Sequence, residues 1–296
     1  MTRARAAIAR LLVGLGLAWP MAVQAAGPDD VKIATWNMEW LTSRPAGDPS
    51  LPEDALPKRD VDVATLAGYA LQLDASVVAL EEVDDPALVA RIFPPDRYRV
   101  LFTGDHVVQR VALAVRQGVG VTQNPDLQAL DVALPGQFHL RSGLDATLTF
   151  GATTLRVLAV HLKSGCWEGV LPDPKRHACA ALAEQLPVLQ DWIAARRSEG
   201  VAFLVLGDFN RRLKADDVFL AGLRRDEPLA SATAGHASPC WGGEDFIDQV
   251  LAGGPAQSWM EPDSLRVLVY RETDPAMKER ISDHCPVSVR FRIPAG

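Results

Sequence analysis

The chain has 296 residues, of which 48% are hydrophobic and 23% charged, with 22 glycines and 21 prolines. These values exclude a disordered, a collagen-like or a low-complexity protein. No apolar run reaches the ~20 residues of a membrane-spanning helix, so stable membrane insertion is not expected. The net charge of −7 gives no global electrostatic attraction to nucleic acid, although a local positive cleft is compatible with it.

Residues 1–25 read as a secretory signal peptide. Arg3, Arg5 and Arg10 precede the apolar run Leu11–Trp19, Pro20 breaks it, and Val23-Gln24-Ala25 supplies the small-residue cleavage pattern. The run is short for an uncleaved anchor. Removing it takes away three arginines and no acid, which leaves 27 basic against 37 acidic residues, a net of −10. The address expected is the periplasm or the medium, with residues 26–296 as one domain, because no repeat and no long linker divides them.

In chain order, Val31–Trp36 alternates as a strand. Arg59–Leu73 is an amphipathic helix with Val61, Val63, Leu66, Ala67, Ala70 and Leu71 on its apolar side. Val77–Leu80 is a continuous apolar strand, buried on both faces. Further strands are expected at Val111–Val115, Leu144–Phe150 and Leu155–His161. Cys179–Arg196 is a long helix, with Pro187 as a kink or break. Strands follow at Val201–Leu206, Phe246–Leu251, Leu265–Val269 and Val287–Phe291. The Pro/Gly-rich stretches 43–57 and 253–263 read as loops. Strand blocks with isolated helices predict a pair of sheets flanked by helices.

Four cysteines in an exported chain predict two disulfides. They are Cys166, Cys179, Cys240 and Cys285, and three pairings are possible. Zinc is the rival reading, but there is no C-x-x-C pair and no histidine cluster beside them. Cys166–Cys179 closes a short loop and is favoured on that ground.

Five segments place polar residues just after an apolar run: Trp36-Asn37-Met38-Glu39, Leu80-Glu81-Glu82-Val83, His161-Leu162-Lys163-Ser164, Gly207-Asp208-Phe209-Asn210 and Ser282-Asp283-His284. Oxygen ligands from scattered strand ends can converge on a hard cation. A histidine beside an aspartate supplies a proton acceptor of fixed tautomer. Each segment is a weak signal and their joint occurrence, in this order, is a strong one.

These segments, with Ile247-Asp248 and Ser282-Asp283-His284-Cys285-Pro286-Val287, resemble the endonuclease/exonuclease/phosphatase (DNase I-like) superfamily from about Val31 to Phe291. The resemblance implies an α/β (α+β) four-layer sandwich, two packed mixed sheets with helices outside, and a metal-dependent phosphoesterase site at one edge. It implies Glu82 as principal metal ligand with Asn37 and Asp283, and Mg2+ as the ion, with Mn2+ able to substitute. It implies His284, paired with Asp248, as general base and Asp208 as ligand or positioner; the assignment of the base to His284 or Asp208 stays open. Asn210 is implied to hydrogen-bond a phosphate oxygen or steady the nucleophile, and His161 to stabilise the transferring phosphoryl group or assist the leaving oxygen. A neutral His284 predicts activity falling below about pH 6.5. Arg141 and Arg110 are candidate phosphate contacts, each with an ordinary surface charge as the alternative. His106, His139, His177 and His236 are read as unrelated to the chemistry. If Asp248 and His284 touch, Cys240 and Cys285 become neighbours, which favours their bond.

Departures from the family pattern are Glu81 in place of glutamine, Gln109 where a glutamate would orient the second histidine, and Ser76. The function expected is a monomeric, exported, metal-dependent phosphodiesterase, a nuclease acting on DNA or RNA. A second reading is a lipid-headgroup phosphodiesterase of sphingomyelinase type, for which Trp167 and Trp241 could meet a bilayer. A third is a catalytically silent binding module, which the intact site residues oppose.

Overall fold

Inward-facing apolar residues at every second strand position hold two six-stranded sheets face to face. The computed structural model describes residues 30–294 except 54, 133–138, 174 and 226–227; residues 1–25, expected to be a signal peptide, lie outside the described residues. The strands are β1 (Asp30–Leu41), β2 (Val77–Val83), β3 (Tyr98–Phe102), β4 (Ala112–Arg116), β5 (Gly120–Gln123), β6 (Leu144–Phe150) and β7 (Thr153–His161). They continue with β8 (Phe203–Asp208), β9 (Ala230–Ser231), β10 (Ala237–Ser238), β11 (Glu244–Asp245), β12 (Asp248–Gly253), β13 (Arg266–Val267) and β14 (Val287–Arg292). The helices are α1 (Asp60–Leu73), α2 (Pro86–Ile92), α3 (His177–Glu199), α4 (Val218–Leu223), α5 (Ala256–Trp259) and α6 (Ala276–Arg280).

One sheet has the order β13-β14-β1-β2-β4-β3 and the other β5-β6-β7-β8-β12-β9. Both are mixed: β1 runs parallel to β2, and β7 parallel to β8, while their other neighbours are antiparallel. The shared core between the sheets takes Ile33, Val77, Ala79, Val157, Ala159, Leu204, Leu206 and Val250. The outer face of the first sheet packs Trp36, Met38 and Leu80 against Leu66 and Tyr69 of α1 and Val89 of α2. The outer face of the second packs Val160, Phe203 and Val205 against Leu182, Leu189 and Trp192 of α3 and Phe219 of α4. The layers are therefore helix, sheet, sheet, helix, as the sequence predicts.

Several local expectations are corrected. In α1 the inner face carries Val63, Leu66, Tyr69, Ala70 and Leu73, whereas Val61 and Leu71 are exposed. The helix is set by a three-to-four residue stripe, and those two lie off it. Helix α3 runs through Pro187 without a break in the assigned helix, because its buried face holds both sides of the proline against the sheet, and it ends at Gly200 in the left-handed region. Helix α2 was not expected from the sequence; it starts at Asp85-Pro86, a cap followed by proline at the first turn, with the Asp85 side chain accepting from Ala87 N. The stretch 253–263 contains α5, and the strand expected at Leu265–Val269 shortens to two residues. β5 carries no alternation because it is an exposed edge strand.

Both expected disulfides are present, Cys166–Cys179 and Cys240–Cys285, and no cysteine is free among the described residues.

Candidate active site

The period-two alternation that builds the inter-sheet core also builds the site. Along β1 the inward series runs Ile33, Thr35, Asn37; along β7 it runs Val157, Ala159, His161; along β8, Leu204, Leu206, Asp208. One step beyond the last apolar residue, each strand delivers a polar side chain to the same edge. Parallel pairing sets His161 opposite Asp208, and antiparallel pairing sets Asp248 opposite Asp208. Gly207 makes this register possible: with φ of 139°, a Cβ there would lie 1.9 Å from the Val160 carbonyl oxygen.

Glu82 reaches the site by breaking the alternation. Continuing β2 regularly would turn it to the helix side, but its φ of 60° brings it back to the cleft. Four non-glycine residues with positive φ surround the site, Glu39, Trp40, Glu82 and Asn210. Such conformations cost roughly 1–3 kcal/mol each and persist where surrounding contacts over-determine them.

On one side of the cleft lies a histidine–aspartate dyad. Both oxygens of Asp248 are 2.9 Å from His284 Nδ1, which leaves Nε2 directed at Asp208 Oδ2 (3.8 Å) and Asp283 Oδ1 (3.8 Å). The loop that carries His284 is tied down by main-chain contacts. Tyr270 donates from its hydroxyl to the His284 carbonyl (2.7 Å), and Ser282 Oγ donates to the Asn37 carbonyl (2.7 Å) while accepting from His284 N (3.0 Å). Trp36 Nε1 donates in turn to the Tyr270 hydroxyl (2.8 Å). Burial acts to lower the His284 pKa, but Asp248, Asp208 and Asp283 outweigh it and hold the imidazole well above its ordinary value.

Asp208 stands between the two histidines. It accepts from Asn210 N (2.7 Å), Asn37 Nδ2 (3.1 Å) and Asn210 Nδ2 (3.1 Å). His161 Nε2 is 3.7 Å away. Burial pushes the Asp208 carboxyl up to about 7, against the lowering influence of His284. His161 shifts the opposite way, well below its ordinary value, because it is buried beside the positive charges of Arg141 and His284. It is the neutral imidazole of the pair.

The other side of the cleft is crowded with acids. Glu82 accepts from Gln109 Nε2 (3.0 Å), Trp40 N (3.3 Å) and Asn37 Nδ2 (3.4 Å), and lies 3.6 Å from His161 Nε2. Burial, then Asp283, raises its pKa. Glu39 accepts from Asp283 N (2.9 Å) and is pushed up to about 9 by burial and by the Asp283 charge. The buried Lys58 ammonium lies 3.9 Å from Glu39. Burial lowers the Lys58 pKa and the surrounding acids raise it, with the first effect larger.

This donor set fits a divalent cation. Glu82, Glu39 and Asp283 present carboxylate oxygens, the ligand class of a hard cation, and the raised proton affinities of Glu39 and Glu82 record the lack of enough positive charge to keep both ionised. Asn37 uses its amide oxygen to accept from Glu39 N (2.9 Å) and its NH2 to bridge Glu82 and Asp208, so it organises the carboxylates. Among the described residues, Asp208, Asp248 and His284 form the group of potential ligands whose atoms lie within 4.8 Å of one another. There, His284 Nδ1 is already engaged by Asp248.

Of the two arginines, Arg141 reaches the site. It is buried, donates to the Leu162 carbonyl (2.7 Å), and acts electrostatically on Glu82, Asp208 and His161. Arg110 does not join it. Its guanidinium lies 5.1 Å from the Phe102 ring centroid and donates to the Asp84 carbonyl. Sequence reasoning missed Glu39, Lys58 and Tyr270. Glu39 stood two residues beyond Asn37 in a quoted segment; Lys58 and Tyr270 are brought in by tertiary contacts alone. Gln109 turns its side chain to Glu82 and its main chain to His161. Glu81 points between the sheets, where it accepts from Thr35 Oγ1 (3.0 and 3.2 Å).

Residues 34–284 match the profile of the Endonuclease/Exonuclease/phosphatase family, and the chain belongs to that family. The activities in the family's name are hydrolyses of phosphate esters. Among solved structures, TDP2 from C. elegans shares the fold with a TM-score of 0.61 at 15% identity, covering 89% of this chain and 75% of that one. TDP2 from D. rerio, complexed with a single-strand DNA product, gives 0.56 at 17% identity over 88% and 98% of the two chains. The 3′ phosphatase NExo from Neisseria, bound to a product DNA hairpin, gives 0.52 at 18% identity over 88% and 99%. Comparison with curated proteins gives no match.

Proposed function

We propose that this protein is an exported, monomeric, Mg2+-dependent phosphodiesterase that cleaves nucleic acid. The observation that carries the reading is the convergence of the Asp248–His284 dyad, the neutral His161 and a carboxylate cluster on one edge of the sheet pair. The D. rerio TDP2 and Neisseria NExo structures, of the same fold, hold DNA products. That supports nucleic acid as the substrate class here.

The residues divide the work of an in-line displacement. A water beside His284 Nε2 attacks phosphorus, and its proton passes to the His284–Asp208 pair, whose atoms lie 3.8 Å apart. With both groups raised, the acidic limb of the rate profile shifts from the ordinary imidazole value to about pH 7 or above. Asp248 holds the imidazole orientation and stabilises its charged form. Asn210, neutral His161 and Arg141 supply donors and positive potential for the charge that develops on the phosphoryl oxygens. A divalent cation, held by Glu82 with Glu39 and Asp283, would neutralise a phosphoryl oxygen and the departing oxygen.

Export rests on the leader-like residues 1–25 and on the two disulfides, which persist in oxidising compartments. Among the described residues no helix is long and apolar enough to cross a membrane. Of the two tryptophans available to a lipid surface, Trp241 packs on Tyr270 at 5.7 Å between ring centroids and donates to the Ser282 carbonyl. One assay tests the function: the exported form is incubated with plasmid DNA, RNA, sphingomyelin and a bis-aryl phosphodiester, with Mg2+ and with chelator. Nicking abolished by chelator is expected. Headgroup release without nicking, or no turnover at all, would overturn the nuclease reading.

A further inference from the structure

The cleft opens onto two pockets of different character. On the dyad side a polar one of about 340 Å³ runs past Asp248, Arg212 and Glu244. On the Glu82 side a larger, mainly apolar one of about 570 Å³ is walled by Trp40, Leu51, His106, Val107, Val108 and Gln109. That volume falls in the range of small-molecule sites, and nothing in the proposed chemistry uses it. Two contacts join it to the reacting centre, Trp40 N to Glu82 Oε2 at 3.3 Å and Gln109 Nε2 to Glu82 Oε1 at 3.0 Å. Two residues of the pocket wall, Trp40 and Gln109, therefore border Glu82 directly.

The backbone is arranged to put an indole there. Trp36 and Met38 face the helix-covered core, and regular alternation would send Trp40 after them. Instead the register of β1 against β2 shifts between Asn37 and Leu41, with Glu39 and Trp40 at φ of 43° and 58°. Leu41 takes the core position, and Trp40 is left half-buried on the pocket wall. A bulky residue in the left-handed region is an outlier that local packing alone does not favour.

We propose that this pocket receives the arm of the phosphodiester that carries the leaving oxygen, with a nucleobase stacked on Trp40. The inference rests on the nuclease reading and deepens it. In-line displacement places the entering and departing oxygens on opposite sides of phosphorus. The water–phosphorus bond forms on the His284 side, the water's proton passing to the His284–Asp208 pair, and the phosphorus–oxygen bond breaks on the Glu82 side, its oxygen departing with the bonding pair and taking a proton from solvent. Stacking is tolerant of base identity because every base has a π-face, so the pocket selects for a base without selecting which one.

Dinucleoside phosphates in which one or the other nucleoside is replaced by abasic deoxyribose test this, with product analysis showing which arm departs. Removing the base from the departing arm is expected to raise KM by about 5- to 100-fold, and removing it from the retained arm by less than about threefold. Trp40→Ala should abolish the difference between the two substrates, and Trp40→Phe should keep most of it. Val108→Arg, which fills the pocket from another loop, should reproduce the loss if Trp40→Ala does not fold. A preference untouched in these variants, or one that depends on the retained arm, would overturn the proposal. Calorimetry in EDTA, comparing thymidine 5′-monophosphate with deoxyribose 5-phosphate, separates this result from failure of the nuclease reading. Ring-dependent binding lost in Trp40→Ala supports the pocket even without nucleic-acid turnover; ring-independent or absent binding overturns it.

Discussion

The two sides of the cleft are held together by different physics. The dyad side is fixed by strand register, by the Tyr270 and Ser282 hydrogen bonds and by the Cys240–Cys285 bond next to His284. Its groups satisfy one another, so its geometry is complete in the protein alone. The acid side is different. Glu39, Glu82 and Asp283 crowd around Lys58 on backbone that departs from regular strand geometry, and burial raises the proton affinity of Glu39 and Glu82. The difference teaches that one half is preorganised by the chain, whereas the other is electrostatically incomplete until a cation arrives.

The sharpest break of this contrast is chemical. His284→Ala should lower kcat/KM by about 10²–10⁴-fold, the range for loss of a positioned acid–base group, with unchanged far-ultraviolet dichroism. Glu82→Gln should act on the metal instead, raising the Mg2+ concentration for half-maximal rate by at least about tenfold, a shift titration of the purified enzyme would read. If Glu82→Gln left the Mg2+ dependence where it was while His284→Ala moved it, the division of labour would be reversed.

Stability separates the halves next. Replacing Cys240 and Cys285 by serine opens a 45-residue separation, against 13 for Cys166 and Cys179. The expected losses are about 4 and about 3 kcal/mol, read from denaturant midpoints, and the first pair should also cost activity. Equal activity in both double variants would show that the dyad needs no such brace. Titration should then expose the acid half. Glu39 holds its proton to about pH 9, above the ordinary carboxylate value. The stability this adds is complete below that ordinary value and is lost as pH rises through the folded one. In EDTA the urea midpoint should therefore fall from pH 5 to 9, and saturating Mg2+ should flatten the decline. A midpoint rising with pH in EDTA would contradict the charge-crowded reading.

What was legible in the sequence follows the same division. On the dyad side Asp208 and His284 stood in segments just after apolar runs, whereas Asp248 and its pairing with His284 were read from the family resemblance. The disulfide pairing followed from their contact. On the acid side only Asn37, Glu82 and Asp283 were visible. Glu39 and Trp40 depend on a local irregularity of β1 that no periodicity announces, and Lys58 arrives from a proline-rich stretch whose path is set by tertiary packing. Arg110 illustrates the limit from the other direction. A guanidinium near a site in sequence was turned aside by the Phe102 ring and the Asp84 carbonyl.

The smallest expected effect concerns Glu81, the departure from the family's glutamine. Its side chain is fully buried, accepts from Thr35 Oγ1, and sits beneath the cleft near Asp248 and Asp208. Burial, then those two charges, raises its pKa well above the ordinary carboxylate value. A neutral carboxylic acid has the shape of a glutamine amide and adds no charge to the site. Glu81→Gln should therefore change stability little at pH 5, where both side chains are neutral. Toward pH 9 it should become stabilising, because the amide cannot ionise and the buried acid is drawn toward doing so. Denaturation of the two proteins across that range in EDTA measures the difference. A variant less stable at pH 9 than at pH 5, relative to the parent, would mean that Glu81 is ionised in the folded protein and belongs electrostatically to the cation site after all.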